Sequence, residues 1–204
     1  MIKSNNFEKT FKVFKKHYKV IPLEIFGTDP YFTLVSTMLS SRTNDDTTLK
    51  AAKRLFIKAP DIFRLNQLTP SEVKKLIYPV GFYNTKAKHL LELSKLLINE
   101  YHGKIPNTRE ELMHLPGIGR KTANLVLSRA FDIPAISVDT HVHKISNLLG
   151  WVKTKTPEDT EKELVKILPK KYWKDINRLF VSIGRQYGSD KKIVEFLKKK
   201  NLTQ

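Results

Sequence analysis

The run Leu115-Pro-Gly-Ile-Gly-Arg-Lys-Thr-Ala123 dictates local structure more firmly than any other stretch of this chain. Pro116 has no N–H to donate, and glycines admit positive φ, so a helix cannot pass through this turn. From Ile118 onward the residues are good helix formers, with apolar spacing at Ala123, Val126, Leu127 and Ala130. The turn therefore ends where a helix begins, and the backbone N–H groups of Gly117 and Gly119 are free to face outward as an anion site suited to a phosphodiester. Lys121 falls in the first turn, where the positive end of the helix dipole opposes an ammonium and favours the neutral, nucleophilic amine. Eighteen residues later, Val138-Asp-Thr-His-Val142 places Asp139 at the start of another helix. Taken singly, each piece has a plain alternative: a connector turn, a solvated surface lysine, and an aspartate that only caps a helix. The two segments in this order and spacing are far more specific than either alone.

The rest of the chain reads as helix almost throughout, and the predicted class is all-α. Phe7, Phe11, Phe14 and Tyr18 form an apolar stripe on a lysine-bearing helix that Met1-Ile-Lys-Ser-Asn-Asn leads into. Tyr31 to Leu39 reads as a buried helix and Thr43 to Phe56 as an amphipathic one. Thr69-Pro-Ser-Glu opens another, with Pro70 suited to its first turn. Asn84 to Tyr101 carries leucines on one side, and Thr108-Arg-Glu-Glu fits a capping box before the glycine turn. Further helices are predicted from Asp139 to Leu149, Thr156 to Leu168, Tyr172 to about Tyr187, and from Asp190 onward. Only Ala135 to Val138 reads as extended.

With 37 Lys+Arg against 20 Asp+Glu the formal charge is +17, which suits a polyanionic partner and salt-dependent association. No stretch approaches eighteen consecutive apolar residues and no signal peptide is evident, so a membrane partner is not expected and a cytoplasmic location is. The chain has no cysteine, which excludes disulfides, thiolate catalysis and cysteine-held metals. His141 and His143 are two apart and fall on different helical faces, and no metal-ligand spacing emerges among the six histidines. No metal site is predicted.

Two further segments stand in order with the first pair: Leu39-Ser-Ser-Arg-Thr-Asn-Asp45 and Gly81-Phe-Tyr-Asn-Thr-Lys-Ala87. Together the four motifs resemble the helix-hairpin-helix and Gly/Pro…Asp signature of the endonuclease III family of DNA glycosylases. The match runs from about Asp29 to Gly150 and continues weakly to Gly188. The resemblance implies two helical lobes with a DNA-binding cleft between them. One is a six-helix bundle over residues 27–134 that ends in the hairpin, and the other is built from residues 1–26 and 135–204.

The resemblance also implies roles. Lys121 attacks C1′ of deoxyribose and displaces the base, and Asp139 manages its proton or steadies the developing positive charge. A nearby carboxylate raises a lysine pKa while the helix field lowers it, and the sequence does not decide between them. Phe82, where relatives commonly carry leucine, would fill the void left by an extruded nucleotide, although a core aromatic is the alternative. Arg42, where relatives often carry glutamine, would contact the unpaired base or phosphate. Gly117, Gly119 and Arg120 would hold the DNA backbone, and His141 would orient phosphate or the wedge region, or serve structure alone. Relatives hold an iron–sulfur cluster on four C-terminal cysteines. Here Ile183-Gly-Arg-Gln-Tyr-Gly-Ser-Asp190 has none, so no such cofactor is expected, and its phosphate grip would pass to Arg185, Lys191 and Lys192.

The expected function is a base-excision repair glycosylase with abasic-site lyase activity on oxidised pyrimidines in double-stranded DNA, working as a monomer at the nucleoid. A thymine or uracil mismatch glycosylase of the same superfamily is one alternative, although such relatives usually lack a lysine at this position. A non-catalytic helix-hairpin-helix DNA-binding protein is the other.

Overall fold

The structure, a computed structural model, describes residues 4–203, so Met1–Lys3 of the predicted N-terminal lead-in lie outside the described residues. Twelve α-helices are present among the described residues: α1 Ser4–Lys16, α2 Pro30–Ser40, α3 Asp45–Lys58, α4 Ile62–Asn66, α5 Pro70–Ile77, α6 Tyr83–Tyr101, α7 Arg109–His114, α8 Arg120–Ala130, α9 Thr140–Leu148, α10 Pro157–Ile167, α11 Trp173–Tyr187 and α12 Asp190–Lys199. Short 3₁₀ turns occupy Pro22–Phe26 and Lys170–Tyr172. No strand occurs among the described residues, and the predicted extended segment Ala135 to Val138 is a buried, irregular connector. No helix among them is long and apolar enough to cross a membrane.

The helix starts follow from capping chemistry. Asp29, Asn44, Asp61, Thr69, Thr108, Asp139, Thr156 and Ser189 each accept a backbone N–H of the first turn through the side chain. Such a cap satisfies a donor that has no partner within the helix and contributes about 1 kcal/mol. Thr69 and Glu72 form a reciprocal capping box, and Pro30, Pro70 and Pro157 sit where a missing N–H costs nothing.

The chain divides into two compact units, one over residues 22–132 and one over residues 1–21 and 133–204. The first begins at the 3₁₀ turn, whose Leu23 is buried and which packs on α2 and α3. It holds seven α-helices, among them the five-residue α4, which packs against α6. Its centre is α2, where every residue from Tyr31 to Leu39 except Phe32 is buried, packed between α3, α6 and α8. The second unit is built from both ends of the sequence. Phe7, Phe11 and Phe14 of α1 enter one core with Trp151, Tyr172, Phe180 and Phe196. Phe11 stacks on Tyr172 with ring centroids 4.2 Å apart, and Phe7 meets Trp151 edge-on at 4.6 Å. Aromatic pairs of this kind add about 0.5–1.5 kcal/mol beyond the area they bury.

Candidate active site

The hairpin is α7, the turn Leu115–Gly119, and α8. Leu115 and Ile118 are its buried anchors, and Ile118 N–H donates to Leu115 O at 3.1 Å to close the turn. Arg109 Nε donates to Oδ1 of the buried Asn124 at 2.8 Å, which ties the two helices together away from the turn. The two glycines differ. Gly117 lies at φ +77°, and a Cβ there would stand 2.7 Å from His89 Nδ1 and from Met38 Cε. That position needs glycine twice over, for conformation and for close packing on α2 and α6. Gly119 caps α8 at φ −98°, which any residue adopts, and a Cβ there would meet nothing within 4 Å. The expectation of positive φ holds for Gly117 alone. At Gly119 the protein's own packing does not require a bare backbone; a ligand approaching the N–H groups of α8 would.

Arg120 and Lys121 are exposed in the first turn of α8, while Thr122, Ala123 and Asn124 turn into the core. The helix therefore buries one face and presents this arginine and lysine on another. On the other compact unit, Asp139 caps α9, its Oδ1 accepting Val142 N–H at 2.8 Å. The cap uses one carboxylate oxygen, and a carboxylate has a second with which to do chemistry. Capping and catalysis are thus compatible readings of Asp139 and need not compete. His141, in the first turn of α9, is partly buried with its ring against the backbone of Gly184 in α11.

Arg42 and Phe82 come together on the first unit. Arg42 lies in the α2–α3 connection at φ +52°, and Phe82 precedes α6 at φ +57°. Phe82 is 59 % exposed, so it is not the core aromatic its composition alone would allow. The Arg42 guanidinium carbon sits 5.4 Å from the Phe82 ring centroid, a cation–π pair. Beside them is a residue that the sequence motifs do not single out. Lys86 is only 7 % exposed, and its Nζ donates to Leu39 O at 2.8 Å, Ser41 O at 2.5 Å and Thr43 Oγ1 at 3.3 Å. Burial pushes its pKa down to about 8. The signal was present in the pattern: Lys86 stands in register with Leu90, Leu93 and Leu97 on the buried stripe of α6.

An iron–sulfur cluster requires four ligating side chains, normally thiolates. The chain has no cysteine, and no group of three or more His, Asp or Glu among the described residues is placed to hold a metal. The residues do not fit such a group. Where the resemblance places it, Gly188 turns the chain at φ +69° and Ser189 caps α12. Ile193, Phe196 and Leu197 pack inward, Tyr187 stacks on Phe196 at 4.5 Å, and Lys144 pairs with Asp190 at 2.7 Å. Arg185, Lys191 and Lys192 are exposed along this segment.

The sequence matches the family model for HhH-GPD superfamily base excision DNA repair proteins over residues 35–170. It is 49 % identical over 159 residues to Endonuclease III of Thermotoga maritima, covering 78 % of this chain and 75 % of that protein. Eukaryotic relatives are longer, and the chain spans about half their length. Among solved structures it is similar to a non-covalent Endonuclease III–DNA complex, with a TM-score of 0.83 and 33 % identity over 93 % of this chain and 89 % of the other. It is also similar to a trapped Endonuclease III–DNA covalent intermediate, with a TM-score of 0.79 and 33 % identity over 91 % and 85 %. By its matched motifs and its fold, the chain belongs to the HhH-GPD superfamily of base excision DNA repair proteins.

Proposed function

We propose that this protein is a bifunctional DNA glycosylase and abasic-site lyase that removes oxidised pyrimidines from double-stranded DNA. The observation that carries this reading is the exposed Lys121 in the first turn of the hairpin's second helix, beside a Gly119 backbone that nothing in the protein crowds. The similarity to a trapped Endonuclease III–DNA covalent intermediate supports it, since a lysine amine is the group able to form such an adduct.

The chemistry follows from the residue types. Duplex DNA meets the N–H groups of Gly117 and Gly119 and the charge of Arg120 at the α8 N-terminus, where the dipole favours phosphate. Phe82 enters the stack as the damaged nucleotide leaves it, and Arg42 meets the base left behind. The neutral amine of Lys121 bonds to C1′ as the N-glycosidic bond breaks and the base departs with that bond's electrons. Loss of a lysine proton, taken up through Asp139, lets the nitrogen lone pair open the sugar ring; the C1′–O4′ bond breaks, O4′ takes up a proton as a hydroxyl, and the protonated Schiff base forms. Its positive nitrogen acidifies C2′–H, and removal of that proton expels the 3′ phosphate oxygen. Hydrolysis then frees Lys121. His141 packs α9 against α11 and orients phosphate or the wedge region from there. No step calls on an iron–sulfur cluster. The enzyme works as a monomer in the cytoplasm on nucleoid DNA, and Arg185, Lys191 and Lys192 take over the phosphate grip at the C-terminal end.

The test is borohydride trapping on a duplex with one abasic site. Wild-type protein should crosslink, and Lys121→Ala should bind without crosslinking. Tight binding by wild type with no adduct would defeat the lyase assignment and turn attention to mismatch substrates.

A further inference from the structure

We infer that Lys86 is a positioning residue that locks the Arg42 loop to the Phe82 loop, so that the two side chains enter the DNA stack as one preassembled unit. The inference rests on the proposed roles of Arg42 and Phe82. An ammonium carries three N–H donors and no acceptor. Lys86 Nζ directs them at Leu39 O, Ser41 O and Thr43 Oγ1, three oxygens at the end of α2 and in the connection after it. Carbonyls at a helix C-terminus lack intrahelical partners and carry the negative end of its dipole, so a cation from another helix suits them.

The third acceptor completes a bridge. Thr43 Oγ1 also accepts the N–H of Gly81 at 3.0 Å, and its own hydrogen points to Ser41 O at 3.2 Å. Residues 41–43 and residue 81 therefore share one hydroxyl, with Lys86 on its far side. The two strands of backbone touch closely enough that a Cβ on Gly81 would stand 2.5 Å from Arg42 O. Beside this junction stand Arg42 and Phe82, both left-handed and joined as a cation–π pair at 5.4 Å. Two residues in a disfavoured conformation persist only where the surroundings over-determine them. The Lys86–Thr43–Gly81 junction is what does so here. Its consequence is that insertion needs no ordering of either loop on the DNA, a cost that would otherwise be drawn from the binding energy.

A merely structural lysine would affect all substrates alike, whereas a positioning one matters only when a base stack must be entered. Cleavage rates should therefore be compared on a paired duplex with an abasic site and on a single strand with the same site. Lys86→Met should slow the duplex reaction roughly tenfold or more while leaving the single-strand reaction within about twofold of wild type. Thr43→Val, which keeps shape and loses the hydroxyl, should show the same duplex-selective loss, and Thr43→Ser should restore it. If Lys86→Met does not fold, the threonine pair decides alone. Equal losses on both substrates, or none on either, would overturn the assignment. Failure of the wild type to cleave either substrate would instead strike at the lyase reading itself.

Discussion

The His141 ring packs against Gly184, so that a Cβ on that glycine would stand 2.7 Å from the imidazole Cγ and closer still to Nδ1. A glycine inside α11 costs about 1 kcal/mol relative to alanine, and the fold accepts that cost to let α9 approach. Gly184→Ala should therefore destabilise despite its better helix propensity, by a net of about 1–2 kcal/mol from overpacking. In the double variant with His141→Ala the clash partner is gone, and most of that loss should return. Thermal unfolding of the four-member cycle measures this; additive effects would show that the contact carries no energy.

Asp139 has two jobs that a single substitution can separate. Asparagine caps helices as well as aspartate does, so Asp139→Asn should keep stability within about 0.5 kcal/mol while lowering base release by two orders of magnitude or more. Asp139→Ala should lose a comparable amount of activity and, in addition, about 1 kcal/mol of stability with the Val142 hydrogen bond. Denaturant unfolding alongside single-turnover kinetics distinguishes the two. Full activity in Asp139→Asn would reduce the residue to a cap.

Lys86 makes stability depend on pH in a particular direction. Its pKa in the folded protein is lowered to about 8 from an ordinary 10.5, because burial disfavours the charged form. Between those pH values the unfolded chain holds more protons than the folded one, so stability rises with pH. The contribution is complete above about 10.5 and is lost as pH falls through 8. Wild type should therefore gain on Lys86→Met as pH is raised from 7 to 10 in denaturant unfolding. The opposite slope would mean that the three oxygen acceptors outweigh the burial.

Much of this was legible in the sequence because it is local. The caps at Thr69, Thr108 and Asp139, the turn at Pro116-Gly117 and the aromatic stripe of α1 each follow from residues within a turn or two of one another. α4 escaped because five residues are too few to show a period. The parts that are not local join residues 40 to 47 apart, as Arg42 with Phe82, Lys86 with Leu39 and His141 with Gly184. Residue type carried half of that message: a lysine in a leucine stripe and a glycine inside a helix are both violations that packing must explain. Which partner explains them is set only by the tertiary approach of helices.

Phe82 brings stability and function into opposition. Its left-handed φ of +57° costs an ordinary side chain about 1–2 kcal/mol, and its ring, 59 % exposed, recovers little by burial. Asparagine tolerates this conformation through local hydrogen bonding and gives up the aromatic face. Phe82→Asn should therefore leave the protein as stable as wild type or up to about 1 kcal/mol more so. On duplex DNA with a paired lesion, base release should fall by tenfold or more, since the void of the extruded nucleotide has no filler. A fluorescent base analogue opposite the lesion should brighten less on binding, because fewer complexes have opened the stack. A variant both less stable and fully active would place Phe82 in the scaffold and leave the wedge to another side chain.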